Sequence, residues 1–101
     1  MVLMQGNTYR LPIRIKMNGE YLTGDDVSRV EFAVGQLLKC YPETVRYEDG
    51  AFVLPLSQED TFALSGWLRY QIRVLFPDGS VKASRVNGGI VADSISKEVL
   101  S

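Results

Sequence analysis

The stretch that decides the fold runs from Ser57 to Ser80, SQEDTFALSGWLRYQIRVLFPDGS. A short acidic, turn-like segment ends at Gly66. Alternation follows from Trp67 to Phe76, and Pro77-Asp78-Gly79 then reverses the chain. Leu68, Tyr70, Ile72, Val74 and Phe76 fall on one face of this strand. Trp67, Arg69, Gln71, Arg73 and Leu75 fall on the other, because successive side chains of a strand point to opposite sides. A long strand with one apolar face, followed by an Asp-Gly turn, predicts an antiparallel sheet that packs on one side.

Working back toward the N-terminus, Thr44 to Glu48 and Ala51 to Leu56 flank Asp49-Gly50, a strong two-residue hairpin signal. Phe52, Leu54 and Leu56 form the apolar side of its second arm. Ser57 with Asp60 fits a capping box loosely, since Asp stands where Glu or Gln is preferred. From the resulting helical turn, Phe62 and Leu64 are expected to plug the open end of the core. Earlier still, Tyr9, Leu11, Ile13, Ile15 and Met17 share one face, and Arg10, Arg14 and Lys16 the other. Pro12 lacks an amide proton, so this strand is an edge or is interrupted there. Val30, Phe32 and Val34 point inward, with Arg29 and Glu31 outward. Gly35 marks a bulge or an end, and Leu37 to Tyr41 reads as a further strand before Pro42.

Beyond Asp78-Gly79, Val81 to Val86 returns along the long strand. Its phase slips between Ala83 and Val86, which predicts a bulge near Ser84 or Arg85. Asn87-Gly88-Gly89 bends the chain and Ile90-Val91 restarts a short strand. Residues 94–101 are polar and read as a mobile tail or a docking segment. About seven strands with one short helical turn imply an all-β fold, an immunoglobulin-like antiparallel β-sandwich. Residues 1–101 read as one domain with a core over 7–92. An OB-type barrel is the structural alternative, since the Cys–Trp–Cys pattern of antibody domains is absent.

Composition narrows the function. With 46% apolar and 23% charged residues the chain can bury a core. A net charge of −1, from 11 basic and 12 acidic residues, speaks against nucleic acid and against a polybasic membrane contact. Cys40 is the sole cysteine, so no internal disulfide forms, as expected of a chain folded in a reducing cytosol. The N-terminus Met-Val-Leu-Met-Gln-Gly lacks the basic start and apolar length of a signal peptide. Action outside a cell would then require exit within a particle or complex, or by lysis.

Catalytic chemistry finds little support. The chain has no histidine, which removes the usual neutral-pH general base, the common triads and most zinc sites. Cys40 lies in a strand beside Lys39, but adjacent strand residues face opposite ways, so a structural thiol is expected. Asp25-Asp26, Glu48-Asp49 and Glu59-Asp60 all sit in turns, where acidic residues serve local hydrogen bonds. Thr23-Gly24-Asp25-Asp26 is the best metal candidate, and a plain turn is the stronger reading. The glycines form no phosphate loop. No catalytic residue, metal or cofactor is therefore assigned.

The outward face of the long strand is the candidate site. Trp67, Arg69, Gln71 and Arg73 make a ladder of aromatic, cationic and amide groups, and Trp and Arg are frequent interface anchors. A solvated sheet face, with Trp67 capping the core edge, is the plain reading. A sugar platform built on Trp67 and nearby tyrosines is a third.

The order of segments resembles the N-terminal immunoglobulin-like domain of phage baseplate upper proteins, and related small prophage tail proteins. The likeness rests on an opening strand, Tyr9-Arg10-Leu11-Pro12-Ile13-Arg14-Ile15, then Asn18-Gly19-Glu20-Tyr21-Leu22-Thr23-Gly24. The strand Val30-Glu31-Phe32-Ala33-Val34 comes next. The passage Leu56 to Trp67 then leads into Tyr70 to Phe76 and Asp78-Gly79. It covers most of residues 7–92, and its specificity lies in the order of individually weak motifs. Baseplate upper proteins continue into further segments, whereas this chain reads as one domain. The resemblance implies a noncatalytic structural module of a phage or prophage tail or baseplate. Its partners would be other virion or tail proteins or copies of itself, with neither nucleic acid nor membrane, and its location the virion, assembled in the bacterial host cytoplasm. The alternatives are a carbohydrate-binding or adhesion module and a bacterial accessory module.

Overall fold

The computed structural model describes residues 2–84 and 87–100. Its strands are β1 (Val2–Met4), β2 (Tyr9–Ile13), β3 (Lys16–Met17), β4 (Glu20–Tyr21), β5 (Arg29–Val34) and β6 (Leu37–Tyr41). They continue as β7 (Arg46–Glu48), β8 (Ala51–Leu56), β9 (Gly66–Leu75), β10 (Val81–Ala83) and β11 (Asn87–Ala92). A 3-10 turn, Gly24–Asp26, precedes β5, and one short helix, α1 (Gln58–Phe62), joins β8 to β9.

The larger sheet runs β1-β11-β9-β5-β6, with β10 also paired to β9. The smaller runs β2-β8-β7, and β3-β4 form a separate ribbon. This is the order of an immunoglobulin-like sandwich. Strands β2, β8 and β7 take the places of B, E and D, while β6, β5, β9 and the β10–β11 pair take those of C′, C, F and G. Strand β1 lies parallel on β11, with Leu3 opposite Val91.

The runs foreseen in the sequence are divided where partners end. The run from Tyr9 to Met17 pairs with β8 only as far as Ile13 opposite Phe52. Beyond it β8 turns away at Asp49-Gly50, where φ of +50° and +78° suit a tight hairpin between twisted strands. Strand β2 is an edge of the smaller sheet, as Pro12 requires.

Between β10 and β11 the register shifts. Ala83 lies opposite Arg73 and Asn87 opposite Tyr70, so four residue steps on one side face three on the other. Such an offset is what the predicted bulge would produce. Of the two positions predicted for it, Arg85 lies outside the described residues.

The core forms where the two inner faces meet. Val30, Phe32 and Val34 of β5 and Leu68 and Val74 of β9 are buried against Phe52, Leu54 and Leu56 of β8. Phe52 is the hub. Its ring centroid lies 5.2 Å from Tyr41 in an edge contact, 5.0 Å from Tyr47 and 6.5 Å from Phe32, so four strands share one aromatic cluster.

Helix α1 closes one end of the sandwich. Its capping box is complete: Asp60 N–H donates to Ser57 Oγ at 3.0 Å, and Ser57 N–H donates to Asp60 Oδ2 at 2.9 Å. Leu64 is buried as expected, but Phe62 is only half-buried. Thr61 is the helix residue with no exposed surface. Its hydroxyl accepts the Gly6 N–H at 2.9 Å and lies 3.0 Å from the Asn7 carbonyl, which ties the segment after β1 to α1.

The tail docks on its own domain. Ser94 N–H and the Lys97 ammonium donate to Gln5 Oε1, and Leu100 exchanges backbone hydrogen bonds with the Gln58 amide.

Candidate interaction face

Strand β9 places Trp67, Arg69, Gln71 and Arg73 on the outward face of the larger sheet, with buried Leu68 and Val74 on the inner one. The structure then divides the four. Arg73 lies directly opposite Glu31 of β5, and its Nε and Nη2 donate to the two carboxylate oxygens at 2.9 and 3.1 Å. This bidentate pair holds the Glu31 carboxyl below the usual carboxylate range and raises the Arg73 guanidinium. Gln71 Nε2 donates to the Ser84 carbonyl at 3.0 Å. Both side chains are thus engaged within the domain.

Among the described residues the Trp67 and Arg69 side chains show no such engagement. Trp67 is 81% exposed. Among the described residues no carboxylate pairs with Arg69, which is also exposed. Trp67 lies opposite Ile90 of β11, and Ile90 lies opposite Val2 of β1. One row across three strands therefore carries three apolar side chains, with Ile90 41% and Val2 70% exposed. Met4, two residues along β1 on the same face, is 41% exposed. Large side chains facing water side by side on neighbouring strands form a patch, which isolated exposed residues do not.

Val2, Met4 and Ile90 are absent from the ladder predicted from β9 alone. A local signal exists, since Val2 and Met4 flank buried Leu3, and Ile90 precedes buried Val91. What the signal lacks is the pairing that brings residues 2, 90 and 67 together.

The other predicted features fall outside this face. Tyr9, Tyr41, Tyr47 and Tyr70 pack against the core, and Tyr21 lies beside Arg14 and Lys16 near the β3–β4 ribbon. Among the described residues no ring contact joins Trp67 to a tyrosine. In Thr23-Gly24-Asp25-Asp26, Asp26 Oδ2 accepts the Thr23 N–H at 2.8 Å and lies 3.1 Å from its hydroxyl, which closes the 3-10 turn. Among the described residues no three side chains of His, Cys, Asp or Glu converge. Cys40 is half-buried opposite Glu31, while Lys39 turns to the inner side and meets Asp60, as alternation dictates. Among the described residues no helix is long and apolar enough to cross a membrane.

Comparison with family models, with curated proteins and with solved structures found no match for the chain.

Proposed function

We propose that this chain is a noncatalytic assembly module of a phage or prophage tail or baseplate, acting through contacts with other virion proteins or with copies of itself. The observation that carries the contact surface is the exposed row Trp67–Ile90–Val2 on the larger sheet. Its chemistry suits a protein partner. A tryptophan anchor stands beside aliphatic neighbours, Arg69 is exposed and among the described residues pairs with no carboxylate, and the internally neutralised Arg73–Glu31 pair forms a polar rim. The tail or baseplate setting rests on the order of segments over residues 7–92, and the virion is the corresponding location.

Size-exclusion chromatography with light scattering tests this reading, on the chain alone and mixed with the products of neighbouring genes. A Trp67→Ala, Arg69→Ala double variant should keep the fold and lose association. Unchanged association in that variant removes the face from the proposal. Glycan-array binding abolished by Trp67→Ala would favour the carbohydrate or adhesion module instead.

A further inference from the structure

A second site lies on the opposite side of β9, where the sandwich is not closed. In the constant-type immunoglobulin sandwich a first strand pairs with the place that β2 occupies here and covers that side. In this chain β1 has joined the larger sheet, and among the described residues no strand lies outside β2. The open side is a cavity of about 300 Å³ between the sheets, walled by Leu11 and Ile13 of β2 and by Tyr70 and Ile72 of β9, with Leu54 and Phe32 at its floor. The four wall residues are only half-buried although they face inward.

At Ile72 this cavity meets a second of about 290 Å³, whose apolar part is Ile15, Met17 and Val74. Its lining carries Arg14, Lys16 and Lys82 and no carboxylate. Lys82 lies opposite Val74, so it rises from the inner side of the larger sheet. Together the two cavities make an apolar trough that ends among three cations.

We infer that this trough binds an anionic amphiphile of the long-chain carboxylate class, its chain between β2 and β9 and its head among Arg14, Lys16 and Lys82. The volume is at the lower end of ligand cavities, and the mostly apolar lining with a few polar groups at one end is the usual build of such sites. An added peptide strand fits less well. Pro12 stands in the middle of β2 and has no amide proton to offer on that edge. An alkyl chain needs no backbone hydrogen bonds, and three cations in a lining without a carboxylate favour a negative head.

Titration calorimetry with dodecanoate and with dodecan-1-ol, both below their aggregation concentrations, tests the site. Saturable dodecanoate binding is expected, with the alcohol weaker. Ile72→Trp, which fills the junction, should abolish it. Lys82→Ala, an exposed change that spares the core, should weaken dodecanoate by about tenfold and leave the alcohol unchanged. Absence of saturable binding to the wild-type chain overturns the proposal. So does binding indifferent to both variants, or a concentration-dependent dimer that Ile72→Trp dissolves, which would place a second copy in the cleft. None of these readouts depends on the outward face, so the two proposals stand or fall separately.

Discussion

Lys39 Nζ lies 3.0 Å from Asp60 Oδ2, and this ion pair joins β6, the outer strand of the larger sheet, to α1 at the end of the smaller one. Both side chains are about four-fifths buried, at 21% and 19% exposure. The same carboxylate oxygen accepts the Ser57 N–H that caps α1. One carboxylate therefore serves the helix start and the closure between sheets. Replacing it removes two charge-assisted hydrogen bonds and leaves Lys39 without its partner. Asp60→Ala should lower stability by about 2 kcal/mol or somewhat more, read from urea unfolding. Lys39→Met with Asp60→Ala should cost less than the sum of the single changes, since a lone partly buried ammonium is worse than none.

Acid should weaken the same contacts. Burial pushes the Asp60 carboxyl up, but the Ser57 N–H and Lys39 more than offset that and leave it below the usual range. Arg73 lowers Glu31 by its hydrogen bonds. A carboxyl lowered in the folded state stabilises fully above its unfolded value, about 4, and loses that stabilisation as pH falls through the folded value. The urea midpoint should thus hold between neutral pH and about 5 and decline below about 4. Lys39→Met and Arg73→Met should each flatten this decline.

The buried Thr61 hydroxyl makes a sharper test of the N-terminal docking. Thr61→Val keeps the shape but leaves the Gly6 N–H without its acceptor. The expected cost is about 1–3 kcal/mol, with faster amide exchange in β1 than in β5. Thr61→Ser, which keeps the hydroxyl, should retain the β1 protection.

Gly35 has φ of +57° in the turn between β5 and β6, and a Cβ there would come within 3.0 Å of Leu64 Cδ2. Gly35→Ala should destabilise by about 1–2 kcal/mol through backbone strain, more if Leu64 cannot yield. Gly79→Ala, also at positive φ but with open space around it, isolates the backbone share. A smaller loss at Gly79 than at Gly35 in thermal unfolding is the expected outcome.

On the outward face, Ile90→Asp places a charge at the centre of the apolar row while leaving the core residues untouched. Association measured by light scattering should fall at least as far as with Trp67→Ala, with little change in melting temperature. A surface with no binding role would show no fall in association.

Much of the fold was legible in the chain. Period-two alternation separates Leu68 and Val74 from Trp67 and Arg73 because a strand has no other way to orient successive side chains. Asp49-Gly50 announces its hairpin because so few residues tolerate positive φ there. Pro12 marks an edge strand for want of an amide proton. The complete box at α1 was legible only loosely, since Asp60 closes it with a shorter side chain than the usual Glu.

The tertiary structure alone decided which strands became neighbours. Nothing local in Val2 or Ile90 says that they will stand in one row with Trp67, because parallel pairing of β1 with β11 joins segments from opposite ends of the chain. Nor does Arg73 show in sequence that Glu31, on a strand far upstream, will take up its charge. The side left open along β2 has the same origin, since it depends on β1 choosing the larger sheet. Side-chain alternation is a property of each strand, whereas register and partner choice are settled by the sum of contacts across the whole sandwich. The sequence determined what each strand would bury, and the packing of strands decided what the surface would offer.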